Sequence, residues 1–544
     1  MNRTVEIYDT TLRDGTQQEG ISLTVRDKLK ICRLLDELGV SYIEGGWPGA
    51  NPKEDEFFER AHTELELGTA ELVAFGATRR AGVRPEDDPQ VQKLLAAGTG
   101  TVCLVGKTWD YHVEYALRTS NDEAVAMIGD TVAYFRSQGR DVFFDAEHFF
   151  DGYRSNPDFA MAALRAAHDA GAARLVMCDT NGGFLSHEVE RIVGEVTEAV
   201  SDATFGCHFH NDSGLAVGNS LTAVQNGVFQ VQGCINGYGE RTGNADLCSV
   251  IPNLSLKMDI ETIPQSRIGH LTTVSHHIAE IVNLTLDPHL PYVGASAFTH
   301  KAGLHTSALA RRPDAYEHMN PSKIGNETRV VVSELAGRST VLARAKASGF
   351  DLTSEQAQAV VDEIKEREHR GYLFEAADGS FELLAREVAG WTQDFFDLES
   401  YRVFVENRRG EVIAEATVKV VVDGERIVST REGDGPVAAM DEALRAALRD
   451  AHPEVDRIKL TDYRVRDLDS SDGTSARVRV LTEHSDIEST WGSVGVHTNI
   501  IDASWTAVAD GLVVGLLREQ DRQSEPVPSL KDRTEEQDAA TDHA

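Results

Sequence analysis

Eight short β-rich runs recur through roughly the first 260 residues, and a stretch with helical spacing follows each of them. The runs lie at 5–9, 42–46, 71–76, 101–107, 141–148, 174–180, 203–210 and 229–237. Within 24–38, Leu29, Ile31, Leu34, Leu35 and Leu38 fall near helical spacing, and 158–170 is rich in Ala and Leu. Each strand-plus-helix unit takes about 30 residues, the length a parallel crossover needs. Eight such units in about 250 residues predict an α/β fold, a (β/α)8 TIM barrel, over 1–265. An open doubly wound sheet is the alternative. No G-x-G-x-x-G follows the first run, which weakens a dinucleotide-binding version of it.

Residues 266–397 read as a mostly helical linker, with helices at 273–285 and 354–367 and a Gly-, His- and Ser-rich loop at 294–307. From Glu399 the texture changes to alternating strands. Val418 and Val420 match Val478 and Val480 at an offset of 60, and Ser429-Thr430 match Ser489-Thr490. Gly435 likewise matches Gly495, and Ala443 matches Ala503. Each copy reads as strands, a Gly turn and a helix (437–448 and 498–512), so 398–518 is expected to be an α+β domain with an internal two-fold repeat. Chance matching of small residues is the competing explanation. Residues 519–544 carry many charges and few large apolar side chains, the composition of a disordered acidic tail.

Lys and Arg number 53 against 88 Asp and Glu, a formal charge of −35. Such a surface repels phosphate backbones and anionic lipid, which argues against nucleic-acid and membrane partners. No apolar run approaches the roughly 18 residues of a membrane helix. Six cysteines without a C-x-x-C pair read as reduced thiols in the cytoplasm.

In a parallel barrel, chemistry sits where strands end. After the first run comes Leu12-Arg13-Asp14-Gly15. Adjacent Arg13 and Asp14 suit an anionic substrate and a metal, and equally a solvated loop salt bridge. After the seventh comes His208-Phe209-His210-Asn211-Asp212. Residues i and i+2 of a strand share a face, so His208 and His210 form a natural pair of metal ligands, with Asp14 as a third. After the eighth, a Gly-rich loop carries Glu240 and Asn244, and Asn244 could add a carbonyl oxygen. Glu147 ends an apolar run, where a carboxyl with a raised pKa could move protons; a rim salt bridge is the plainer reading. Asp179-Thr180-Asn181-Gly182-Gly183 offers a hydroxyl and N–H groups to a carboxylate, or is an Asp-capped turn. His300-Lys301-Ala302-Gly303-Leu304-His305 could swing a histidine over the mouth, or simply expose it.

These motifs, in this order, resemble the metal-dependent DRE-TIM family of Claisen condensing enzymes and lyases, which includes 2-isopropylmalate, homocitrate and citramalate synthases. The carriers are Leu12-Arg13-Asp14-Gly15, His208-x-His210-Asn211-Asp212 and Gly239-Glu240-Arg241-x-Gly243-Asn244. The domain after Glu399 looks like the family's regulatory domain, which the lyases lack. Gly45-Gly46-Trp47-Pro48-Gly49-Ala50-Asn51-Pro52-Lys53 and Thr16-Gln17-Gln18-Glu19-Gly20 look most like the citramalate branch. One departure is His148, where many relatives have Asp after the Glu.

The resemblance implies an acyltransferase that joins acetyl-CoA to a 2-oxo acid, pyruvate in that branch. It implies one divalent metal ion (Mg, Mn, Zn or Co) on Asp14, His208, His210 and Asn244. Arg13 would bind substrate and stabilise an alkoxide, Thr180 would hold the carboxylate, and Glu147 with His305 would transfer the proton, assisted by Tyr316. It further implies a homodimer and an amino-acid effector at the C-terminal domain. Rivals are a synthase acting on 2-oxoisovalerate or 2-oxoglutarate, a lyase, a metal-dependent hydrolase and a non-catalytic amino-acid sensor.

Overall fold

Strand order alone closes the first sheet. In the computed structural model, β1 (Glu6–Asp9), β2 (Tyr42–Gly46), β3 (Glu71–Ala77), β4 (Thr101–Lys107), β5 (Asp141–Glu147), β6 (Arg174–Asp179), β7 (Phe205–Phe209) and β8 (Gln230–Gly233) pair in sequence. All pairs are parallel, and β8 returns to β1 with Glu6 opposite Gln230 and Asp9 opposite Gly233. The result is a TIM barrel, as the spacing predicts. The structure describes residues 3–301, 305, 308–309, 312–331, 337–408, 410–468, 476–487 and 489–524.

Alternation along the strands sorts side chains between two cores. Ile7, Ile43, Ala74, Val102, Leu104, Val142 and Phe144 face outward into the large core shared with the helices. Tyr8, Val73, Phe75, Cys103 and Phe143 form a separate cluster inside the barrel. The same parity turns Glu44, Asp145, His208 and Gln232 inward, and all four are buried. Arg174 and Gln230 both donate to Glu6 and close the barrel floor with polar groups.

The helix Val25–Leu38 illustrates how the outer layer forms. Thr24 and Asp27 make a reciprocal capping box at its start, and Gly39 ends it at φ 95°. Its apolar stripe buries Leu29, Ile31, Cys32, Leu35 and Leu38. Each such side chain contributes about 1.5–3 kcal/mol on burial, so Leu35→Ala, which leaves a cavity, would cost about 2–5 kcal/mol.

The chain forms two compact units: residues 1–298 with 319–328, and 299–318 with 329–544. The first extends past the barrel through the helix Leu271–Val282, whose Leu271, Val274 and Ile278 join the barrel core. This helix begins two residues before the expected position and stops at Asn283, which takes φ 58°.

The second unit opens with a two-stranded parallel pair, β9 (Thr299–His300) and β10 (Arg329–Val330). Helices Arg338–Ala347, Ser354–His369 and Asp378–Val388 follow. Then come two antiparallel three-stranded sheets, each succeeded by a helix. The first is β11 (Asp397–Arg408), β12 (Glu411–Val422) and β13 (Glu425–Gly433), with helix Pro436–Leu448. The second is β14 (Lys459–Asp467), β15 (Val478–Ser485) and β16 (Thr490–His497), with helix Ile500–Ser524.

The repeat is a βββα unit, and its register corrects the sequence offset. Both first strands carry a bulge, between Leu398 and Ser400 and between Leu460 and Asp462. Val420 pairs with Leu398 and Ile427; His484 pairs with Leu460 and Trp491. The copies therefore match at a spacing of 64 (484 − 420) in the middle strand, not 60. An even shift keeps every residue on its own face, so the alternation is the same at either spacing, although Val418 and Val420 then correspond to Thr482 and His484.

Two further expectations change. The last helix runs to Ser524, through the first residues expected as tail; 525–544 lie outside the described residues. That helix also meets the length and composition of a membrane span over Ile500–Arg522, although 67% of its apolar window is buried within the protein. Its Leu512, Val514 and Leu516 are fully buried in the core of the second unit.

Candidate active site

The turn after β1 is built by Asp9, whose carboxylate accepts from the N–H and the hydroxyl of Thr11, both at 2.9 Å. Burial pushes that carboxyl up to about 7, against the bonds from Thr11. The turn delivers Arg13 and Asp14 to the barrel mouth. They are not a solvated pair. Arg13 Nε donates to Glu44 Oε2 at 2.5 Å, Nη1 lies 3.2 Å from Asp14 Oδ2, and the guanidinium sits 4.0 Å above the Phe75 ring. Tyr8 holds the other oxygen of Glu44 at 2.8 Å.

Asp14, His208 and His210 converge as their spacing predicts. Their ligand atoms lie within 4.8 Å of one another, and all three residues are buried. His208 Nε2 is 3.3 Å from Asp14 Oδ2 and 3.3 Å from His210 Nε2, while His210 Nε2 lies 3.8 Å from the same carboxylate oxygen. Two imidazole nitrogens and a carboxylate this close together are a donor set that could hold a cation. Electrostatics agree. Burial alone would raise the Asp14 carboxyl, but Arg13 and His208 outweigh it and hold it far below the usual range. Burial and the neighbouring His208 push His210 down to about 3, which keeps it neutral and able to ligate.

Asn244 sits on a backbone bridge to His210, brought there by the loop after β8. Its Nδ2 donates to Tyr238 O at 3.0 Å. Gly243 makes this loop possible: it takes φ 90°, and a Cβ there would lie 1.9 Å from Gly237 O. Asp14 Oδ1, His210 Nδ1 and Asn244 Oδ1 are buried without a hydrogen-bond partner among the described residues. The unpaired oxygens of Asp14 and Asn244 belong to one donor set and fit a divalent cation, and His210 Nδ1 is the ring nitrogen that bears the proton when Nε2 ligates.

Glu147 and Thr180 line the same cavity of about 560 Å³ as Arg13, Asp14, His208, His210 and Glu240. Glu147 does not have the apolar setting its sequence neighbours suggest. Val142 and Phe144 face out of the barrel, and Glu147 Oε2 is ion-paired with Lys107. Thr180 Oγ1 accepts the His148 N–H at 2.9 Å, which leaves its own proton to donate. His148 takes φ 57°, and its Nδ1 lies 3.5 Å from Asp151 Oδ2.

His305 and Tyr316 belong to the second unit, where their rings stack with centroids 4.0 Å apart. Sequence reading missed Glu44, Asp145, Gln232 and Lys107. Strand parity carried the signal: Glu44 and Gln232 interrupt apolar strands at inward positions, where a buried polar group needs a partner. All six cysteines are free and buried.

Residues 4–278 match the HMGL-like family, 292–371 the homocitrate synthase post-HMGL domain-like family, and 375–515 the LeuA allosteric (dimerisation) domain. The (R)-citramalate synthase of Aquifex aeolicus is 47% identical, over 96% of this chain and 99% of its own length. That of Streptomyces coelicolor is 50% identical, over 94% and 96%. A probable 2-isopropylmalate synthase of Methanopyrus kandleri is 33% identical, over 93% and 97%. With its closed barrel, its Asp-His-His cluster and its C-terminal repeat, the chain belongs to the HMGL-like family, among the members that carry a LeuA allosteric domain.

Proposed function

We propose that this chain is a metal-dependent condensing enzyme that joins acetyl-CoA to pyruvate, releasing (R)-citramalate and CoA. The observation that carries the reading is one cavity lined by Arg13, Asp14, Glu147, Thr180, His208 and His210. The choice of pyruvate rests on the names of the most similar relatives. A 2-isopropylmalate or homocitrate synthase, with a larger 2-oxo acid, is the second reading; the 33% identical relative carries such a name.

Asp14, His208 and His210 hold one divalent cation (Mg, Mn, Zn or Co), with Asn244 as a further ligand. When bound, that cation would supply Lewis acidity towards the ketone of the 2-oxo acid. Thr180 donates its hydroxyl proton to the substrate carboxylate. Arg13, fixed between Glu44 and Asp14, presents positive charge where the ketone oxygen becomes an alkoxide. Glu147 accepts a proton from the acetyl methyl group, and His305 and Tyr316 take part in its transfer. The carbon pair released from that C–H bond forms the C–C bond to the ketone carbon, and the ketone oxygen then gains a proton. Water hydrolyses the thioester and CoA leaves as the thiol. Lys107 holds the Glu147 carboxylate at the rim before substrate arrives.

The domain proposed at 398–518 pairs two chains into a homodimer and binds an amino-acid effector, isoleucine by the logic of the product. The enzyme works in the cytoplasm on small-molecule substrates. The test is thiol release from acetyl-CoA, with added divalent metal, against pyruvate, 2-oxoisovalerate and 2-oxoglutarate. Preference for pyruvate is expected. Preference for another acceptor keeps the chemistry and overturns the branch, and no release with any acceptor sinks the synthase. Loss of isoleucine inhibition on truncation before Glu399 places the effector site; persistent inhibition puts it elsewhere.

A further inference from the structure

We propose that Arg80 anchors the phosphates of the acyl-CoA at the rim of the barrel cavity. The inference rests on the condensing reading above and adds a residue to it.

The loop after β3 reads Thr78-Arg79-Arg80-Ala81-Gly82-Val83-Arg84, three arginines within seven positions of a chain with a formal charge of −35. Two of them are committed. Arg79 is buried and binds Glu123 and Asp130, each at 2.7 Å. Arg84 binds Asp87 at 2.8 Å and Glu86 at 3.2 Å. Arg80 differs. Its N–H donates to Asp88 Oδ2 at 2.8 Å, and its carbonyl accepts from Arg79 Nη1 at 3.1 Å, so its backbone is pinned on both sides. Its side chain is exposed, and its guanidinium has no ion pair or hydrogen bond among the described residues. Even so, Arg80 lines the same cavity as Arg13, Asp14 and His208.

Size and charge give this cation a use. The cavity, about 560 Å³, suits a 2-oxo acid and the acyl end of a thioester. The nucleotide end of CoA, with its diphosphate and 3′-phosphate, then lies outside, at the rim. An anion approaching a surface of this charge needs a local cation. A free guanidinium matches phosphate oxygens with a planar fork. Ala116 and Leu117 also line the cavity, and beside them stand Tyr115 and Tyr111, 61% and 52% exposed. Their ring centroids are 4.8 Å apart, and Trp109 lies 5.0 Å from Tyr111. Such an exposed aromatic shelf suits stacking of a purine base.

The test compares acetyl-CoA, acetyl-dephospho-CoA and S-acetylpantetheine on the full-length metal-loaded enzyme. Arg80→Ala is expected to raise KM for acetyl-CoA about tenfold, the scale of one lost charged hydrogen bond. Arg80→Glu should raise it further, and Arg80→Lys should restore part of it. The values of kcat and the KM for pyruvate should not move, because the contact is equally present in ground and transition states. S-acetylpantetheine, which lacks both phosphate groups, should bind the variants and the parent alike. An effect that disappears with acetyl-dephospho-CoA assigns the contact to the 3′-phosphate; one that persists assigns it to the diphosphate. An unchanged KM for acetyl-CoA, or an equal rise for S-acetylpantetheine, overturns the proposal. Calorimetric binding of CoA alone keeps the two readings apart. A parent that binds CoA but condenses no 2-oxo acid fails as a synthase, whereas Arg80→Glu binding CoA as tightly as the parent removes the anchor.

Discussion

His208 Nδ1 lies 3.0 Å from Gln232 Oε1, and Gln232 Nε2 donates to Asp145 Oδ1 at 2.9 Å. This buried chain crosses the barrel interior from β7 through β8 to β5. The amide oxygen of Gln232 accepts a hydrogen bond from Nδ1–H, which turns the Nε2 lone pair of His208 towards Asp14 and His210. Gln232→Leu keeps the volume and removes the acceptor. Divalent metal affinity is expected to fall about 10–100-fold, read by calorimetric titration of Mn²⁺. Equal affinity in the variant would show that Gln232 does not orient the ligand.

Removing the metal should be visible in stability as well as turnover. An ion held on Asp14, His208 and His210, which only the folded chain brings together, would bind the folded state and not the unfolded one. At 100 times the dissociation constant, binding adds about 2.7 kcal/mol. Chelation is therefore expected to lower Tm and abolish thiol release, and re-adding metal should restore both. An Asp14→Asn, His210→Ala double variant should lose the Tm response to metal; a full response would place the ion elsewhere.

Glu147→Gln is nearly isosteric and removes the proton acceptor. Proton-transfer catalysis contributes about 10²–10⁴-fold, and kcat should fall by that order. Pyruvate should still raise Tm in metal-loaded protein, because Thr180 and Arg13 remain in place. Unchanged kcat would exclude Glu147 from the reaction.

The barrel was legible because parallel crossovers have a fixed length, and its site because ligands two apart on a strand must share a face. His208 and His210 obey that rule, and Asp14 joins them from the first strand as the barrel closes. Lys107 was invisible: a barrel sets β4 beside β5, but no local pattern reports the register that places Lys107 directly opposite Glu147. Register in the C-terminal repeat was hidden for a related reason. Both copies carry the same one-residue bulge, at Leu398 and at Leu460, and their middle strands differ from the sequence offset by an even number, which leaves alternation, all the sequence displays, unchanged.

The second unit carries its own pH signature. Asp510 is half-buried, accepts one hydrogen bond from Ser380 Oγ at 2.7 Å, and desolvation pushes its carboxyl up to about 7, with Glu387 adding to the rise and Ser380 and Arg367 opposing it. A carboxyl raised in the folded state favours the protonated form. Its contribution is fully present below the unfolded value near 4 and is lost as pH rises through about 7. A rise of that size corresponds to about 4 kcal/mol at most. Asp510→Asn keeps the shape and removes the charge, so it should melt close to the parent at pH 5 and above it at pH 8. Differential scanning calorimetry at the two pH values reads the difference. A variant that melts below the parent at pH 8 would mean that the ionised carboxylate is held by partners stronger than Ser380.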